Sequence, residues 1–133
     1  MEKTRFEAGL ARLAEVDGEA GTKVVESLKD CAPDLGRYII EFAFGDIYRR
    51  PELSLKEREM ITLASLATLG GCEAQLTVHL NAALNVGLSP ARIIETFMQC
   101  IPYTGFPRVL NAVFTAKAVF AARGVTVAAA AGE

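Results

Sequence analysis

The 133-residue chain has one histidine, His79, and three cysteines with no CxxC pair among them. Cys31, Cys72 and Cys100 are odd in number and widely spaced, which argues against a disulfide framework and offers no zinc-ligand spacing. An isolated cytosolic thiol more commonly serves as a small buried hydrophobe. Neither sign of charge dominates, with 14 Lys and Arg against 16 Asp and Glu and a net charge of -2. That balance carries no electrostatic footprint for nucleic acid or an anionic membrane. Of the two uncharged stretches, Met60 to Cys72 is too short to span a bilayer, and Gln75 to Pro90 is broken by Gln75, His79, Asn81 and Asn85. The opening residues MEKTRFEAG hold no apolar signal core. The expectation is a soluble, cytoplasmic protein.

Apolar residues, by contrast, are plentiful. They make up 51% of the chain and give a mean hydropathy of +0.26, above what a small monomer with a polar surface needs. Apolar surface buried between subunits is therefore expected. At 133 residues the chain fits one domain, 1–133, with a helical arm over about 1–31 and a core over about 33–123.

Periodicity and punctuation predict an all-α fold of about seven helices. Phe6, Leu10 and Leu13 share a helical face over residues 3–16. A second helix over about 22–30 buries Val24, Val25 and Leu28. Pro33 opens a third, ringed by Tyr38, Ile39, Phe42, Phe44 and Ile47, and Pro51 stops it. The fourth, Leu55 to Leu69, is apolar nearly all round after Met60 and reads as a central buried helix. Gly70-Gly71 reverses the chain into a fifth helix, Cys72 to Val86, closed by Gly87. Ser89-Pro90 starts the sixth, Pro102 ends or kinks it, and the seventh runs from Pro107 to Arg123. The tail VTVAAAAGE is weakly specified.

Groups able to move protons or electrons gather between Leu53 and Val86. Ser54 and Glu57 form a capping-box pattern, which gives Glu57 a structural task. Glu59 shares a face with Leu63 and Leu66, so it either points inward, where it needs a partner, or stays solvated at the helix start. Arg58 and Arg49 are the nearest cations in sequence. Cys72, Gln75, Leu76 and His79 fall on one face of the fifth helix. Cys72 and His79 are nevertheless seven residues apart, about 10.5 Å along a helix axis, against the roughly 3 Å that a thiolate–imidazole pair requires. Between Cys100 and Pro107, two prolines, a glycine and Tyr103 suggest a pocket-lining loop, or one that the Tyr103 hydroxyl simply anchors.

The stretches FAFGDIYRRPELSLKEREMITLASLATLG and VHLNAALNVGLSPARIIETFMQCIPYTGFPRVLNAV resemble the carboxymuconolactone decarboxylase family, which also includes the alkylhydroperoxidase D-type proteins. The resemblance covers about residues 35–120. It implies a compact all-α fold, an assembly as homo-trimer or homo-hexamer, and a small-molecule substrate. Its peroxidase branch carries Glu…Cys-x-x-Cys-x-x-x-His. Cys72 and His79 match the first cysteine and the histidine, Glu59 lies one residue off the glutamate spacing, and Gln75 stands where the second cysteine would be.

The decarboxylase branch implies loss of carbon dioxide from a carboxylated unsaturated lactone in aromatic-acid breakdown, without metal or organic cofactor. That chemistry asks for a cation to hold a carboxylate, a donor to stabilise a dienolate and an acid to protonate carbon. His79 is the natural acid, Arg49 or Arg58 the carboxylate holder, and Glu59 or Tyr103 an orienting group. Gln75 lies within reach of His79 on the same helix. A structural imidazole at His79, a one-cysteine redox role for Cys72 and a non-catalytic ligand-binding role stand as the alternatives.

Overall fold

The computed structural model describes residues 2–127, which are helical with no strand among them. Seven helices follow in order: α1 (Arg5–Asp17), α2 (Glu19–Ser27), α3 (Pro33–Tyr38, continuing as a π-helix over Ile39–Ile47), α4 (Leu55–Leu69), α5 (Glu73–Asn85), α6 (Pro90–Thr104) and α7 (Phe106–Arg123). The punctuation works locally. Thr4 accepts from the Glu7 amide at 3.0 Å to cap α1, and Ser89 accepts from the Arg92 amide at 3.2 Å ahead of Pro90. The chain divides into two compact units, Met1–Leu55 and Lys56–Glu133, and the division falls inside the stretch 33–123 that reads as one core in sequence. The end of the tail, 128–133, lies outside the described residues.

In the first unit α1 packs mainly on the π-wound part of α3. The π winding shows in the Tyr48 amide, which bonds the Ala43 carbonyl five residues back at 2.9 Å. Contact is made through backbone. A Cβ on Gly9 would overlap the Ile40 carbonyl oxygen, and one on Gly45 would stand 3.1 Å from the Arg5 carbonyl oxygen. This corrects the predicted face of α1: Ala8, Gly9, Leu13 and Val16 are buried, while Phe6 and Leu10 are 39% and 43% exposed. Periodicity weighs hydrophobicity, but close approach here selects for the smallest residue. In α2, Val24 is likewise exposed and Gly21 is buried beside Leu13. Of the ring of large residues predicted on α3, Phe44 is buried, whereas Tyr38 and Phe42 are more than half exposed; Ile40, outside that ring, is buried as well.

The second unit is built on one apolar cluster drawn from α4 (Leu63, Ala67), α5 (Leu76, Leu80, Ala83), α6 (Ile93, Phe97) and α7. Each fully buried Leu or Ile contributes about 1.5–3 kcal/mol. The α7 helix, packed against both α5 and α6, is the central element, and Arg123 at its end bonds Asn85 Oδ1 at 3.0 Å. Hydropathy alone had suggested α4 for that place. Instead α4 buries only the line Glu59, Leu63, Ala67, leaving Ile61 and Leu69 56% and 67% exposed, because 100° per residue turns these two away from the cluster. Pro102 does not end α6, which continues to Thr104. Its missing N–H denies the Met98 carbonyl its helical donor, yet the helix carries on for two further residues and closes with the Gly105 amide on the Ile101 carbonyl at 3.0 Å. The pocket-lining loop expected over Cys100 to Pro107 therefore reduces to a single joint, Gly105, at φ 95.

Gly9→Ala is expected to destabilise the first unit even though alanine favours a helix interior by about 1 kcal/mol over glycine, because the overlap is with backbone. Urea unfolding followed by α1 hydrogen exchange checks this, and unchanged protection of α1 would refute it. A second outcome concerns pH. Arg5 donates three bonds to Asp46, at 3.0, 3.1 and 2.6 Å, and this guanidinium holds the Asp46 carboxyl below its ordinary pKa. A lowered carboxylate pKa stabilises the fold above the unfolded-state value and loses that stability as pH falls through the folded-state value. Both partners are exposed, so the effect is small. Exchange at α1 amides should quicken as Asp46 is protonated, and Asp46→Asn should flatten that dependence.

Candidate active site

Glu59 lies in the second turn of α4, on the line that continues through Leu63 and Ala67 into the core. This placement leaves its side chain with 0% exposure. A carboxylate there must be paired or hydrogen-bonded. His79, midway along α5 and flanked by the buried Leu76, Leu80 and Ala83, supplies a partner. Its Nδ1 stands 3.1 Å from Glu59 Oε2 and 3.4 Å from Oε1. A carboxylate only accepts, so Nδ1 carries the proton in this bond. The imidazole side chain keeps 20% of its surface exposed. The pair thus has a buried carboxylate and a partly exposed imidazole.

The remaining residues singled out in sequence are placed as follows. Cys72 is the N-cap of α5 and sits outside the helix proper, at φ -116 and ψ 34. It is half-buried, and Sγ donates to the Gly70 carbonyl at 3.4 Å. Gln75 is exposed, so the thiol, amide and imidazole do not share one environment. Arg58 is half-buried beside Glu59 on α4. Arg49 belongs to the first unit, where its Nη1 donates to the Gly45 carbonyl at 3.4 Å. Tyr103, near the end of α6, is 84% exposed. The structure therefore joins Glu59 to His79 by a direct bond, while Cys72 lies about two helical turns from the histidine in sequence.

Two features carried no signal in the sequence. The side chain of Arg108, from α7, lies against Gly70, where a Cβ would stand 2.5 Å from Nε. Gly70 and Gly71 both have positive φ, 73 and 70, and this turn is what lets a cation approach the backbone beside Cys72. An open groove of about 640 Å³ also runs between α4 and α6, with Met60 and Ala64 along one side and Arg92, Thr96 and Cys100 along the other. Neither Arg92 nor Arg108 belongs to a spacing pattern that points to a site.

Residues 33–118 match the model of the carboxymuconolactone decarboxylase family. The chain belongs to that family. A 4-carboxymuconolactone decarboxylase from Acinetobacter baylyi is 33% identical over 125 residues, covering 93% of this chain and 92% of that protein. A nitrosuccinic acid decarboxylase from Metarhizium robertsii is 30% identical over 81 residues, 59% of this chain and 54% of its own. Peroxisomal protein 2 of Saccharomyces cerevisiae is 32% identical over 80 residues, 59% of this chain and 28% of its own. The first comparison spans nearly the whole of both chains and includes the helices that carry Glu59 and His79. As in the sequence reading, this member of the carboxymuconolactone decarboxylase family has Gln75, not cysteine, three residues after Cys72.

The Glu59–His79 bond is expected to stabilise the fold as well as orient the ring. Glu59→Ala should cost about 1–3 kcal/mol in urea unfolding by leaving a part-buried donor without this acceptor. Glu59→Gln, whose amide oxygen can still accept, should cost less. Equal stabilities for the two variants would mean that the bond contributes nothing beyond packing.

Proposed function

We propose that this protein is a cofactor-independent decarboxylase of a carboxylated unsaturated lactone resembling 4-carboxymuconolactone. The observation that carries this reading is the buried Glu59 carboxylate bonded to Nδ1 of a partly exposed His79. The likeness to a 4-carboxymuconolactone decarboxylase along 93% of the chain supports the substrate class.

In the step we envisage, the bond between the ring carbon and the substrate carboxylate breaks and carbon dioxide leaves. The electron pair moves through the ring double bond onto the lactone carbonyl oxygen as a dienolate. Protonated His79 then delivers the Nε2 proton to carbon, and the imidazole regains one from solvent, so each turnover consumes one proton. Glu59 stabilises the imidazolium and fixes the ring. The substrate carboxylate is held by Arg58 or Arg49, through the two-pronged geometry a guanidinium offers. Gln75 and Tyr103 are assigned to substrate contact. In this reading Cys72 takes no part in the reaction.

We also read the protein as a cytoplasmic homo-oligomer, a trimer or hexamer. Ile61, Leu69, Met98, Phe106 and Phe114 expose at least half of their surface, which is apolar area suited to burial between copies. Among the described residues no helix is long and apolar enough to cross a membrane.

His79→Ala should lower carbon dioxide release from the lactone by about 10²–10⁴-fold, the usual worth of a positioned acid, and Cys72→Ser should leave it within a factor of about two. Loss of turnover in Cys72→Ser, together with peroxide-dependent oxidation of Cys72 seen by intact mass, would replace this reading with a thiol redox function. A chain that binds the lactone without turning it over would instead be a binding protein.

A further inference from the structure

Two sets of apolar residues lie on different sides of α7. Val109, Ala112, Ala116 and Val119 face the core of the second unit. Phe106, Leu110 and Phe114, spaced four apart, instead keep 66%, 47% and 62% of their surface exposed. With Lys117 they fall within about 80° of arc, at about 100° per residue, and so form a second stripe that is open to solvent. A groove that could receive such a stripe lies between α4 and α6, about 640 Å³ in volume, with Met60, Ala64, Thr96 and Cys100 along it. The Thr96 hydroxyl donates to the Arg92 carbonyl at 2.8 Å and the Cys100 thiol to the Thr96 carbonyl at 3.4 Å. Both donors are already used, which suits the groove to an apolar occupant.

Charge and register match as well. A hydroxyl–hydroxyl bond of 2.9 Å between Thr68 and Thr104 joins the C-terminal ends of α4 and α6, so the charged lining of the groove lies toward the opposite end, where Glu57 and Glu95 outnumber Arg92. The α7 helix carries no acid, its charges being Arg108, Lys117 and Arg123. Leu110 to Lys117 is a step of seven residues, and so is Ala64 back to Glu57, about 10.5 Å along either helix. An α7 stripe laid antiparallel to α4 therefore sets Leu110 at the Ala64 end, Phe114 over Met60 and Lys117 among the carboxylates. We propose that the outer stripe of α7 docks in the α4–α6 groove of a second copy of this chain, a helix-in-groove contact. The two surfaces differ, so each copy gives a stripe and receives one, the head-to-tail arrangement from which closed rings are built. This rests on the reading of the protein as a homo-oligomer and names the surfaces that would make it one.

The test is sedimentation velocity of the full chain over a range of concentrations. The wild type should run as an oligomer. Phe114→Asp on the stripe and Ala64→Trp in the groove should each weaken association roughly thirtyfold or more and release the 14.3 kDa monomer. Mixed in equal amounts, these two variants should pair one to one and stop there, because only the groove of the first and the stripe of the second are intact. Lys117→Glu and Glu95→Lys should each loosen the oligomer severalfold, and both changes in one chain should restore it. A monomeric wild type overturns the homo-oligomer reading and this interface with it. An oligomer that survives both Phe114→Asp and Ala64→Trp leaves the homo-oligomer reading standing and overturns the interface alone. So does a mixture that stays monomeric, or dissociation by only one of the two, for the stripe or the groove then meets another surface. Should Ala64→Trp not fold, the charge reversals carry the test, since Lys117 and Glu95 are both exposed, and failure of the double change to restore the oligomer overturns the proposal.

Discussion

A carboxylate with no exposed surface has to be met by a hydrogen-bond donor, and His79 supplies one to Glu59. That requirement constrains the second unit at several levels. It fixes the register of α4 against α5, because sliding either helix by one residue would turn the carboxylate or the imidazole about 100° away. It asks the chain to reverse within a few residues, which Gly70 and Gly71 permit at positive φ. It also places a polar pair beside the apolar side chains of Leu63, Ala67, Leu76 and Leu80, where low polarity strengthens the bond that is made and penalises one left unmade.

The first unit secures its helices differently. There the close contact is backbone on backbone, through Gly9 and Gly45, with the Arg5–Asp46 ion pair at the edge. A glycine contact is intolerant of added volume, whereas a carboxylate–imidazole contact is intolerant of lost partners. The two units thus invite different kinds of damage: an added methyl in one, a removed oxygen in the other.

Much of the helix order was legible because its punctuation is local. Pro33, Pro51, the Gly70-Gly71 pair, Ser89-Pro90 and Gly124 act through the φ they allow or the N–H they lack, whatever surrounds them. Pro102 misled because α6 runs through it to Thr104 although the Met98 carbonyl loses its helical donor there. The face of α1 was misplaced because Gly9 has no hydrophobicity to register, although its smallness decides the packing. The π winding of Ile39–Ile47 was invisible to a reading that assumes 3.6 residues per turn. At the candidate site, the spacing of Glu59 to Leu63 left an inward and a solvated carboxylate open, and its pairing with a residue twenty positions away came from the family resemblance, because Arg58 and Arg49 are nearer in sequence. Arg108 and Arg92 depend on tertiary approach and on nothing in their own neighbourhoods.

The family resemblance brings together two chemistries that share a need for a proton-handling pair and differ in what stands near it. In the redox chemistry, a second thiol one turn from the first closes a disulfide and carries away two electrons. Gln75 occupies that place here, and an amide neither becomes oxidised in this way nor forms a covalent link to Cys72. Cys72 itself directs its weak donor to the Gly70 carbonyl, a bond to the turn that precedes α5. The paired-thiol step is thereby removed while the Glu59–His79 pair remains intact. Loss of carbon dioxide from an unsaturated lactone asks for no oxidant and no thiol, only a place for the electron pair and a proton returned to carbon. An oriented imidazole on a buried carboxylate meets the second of those demands directly, which is why the decarboxylase reading uses more of what this chain retains.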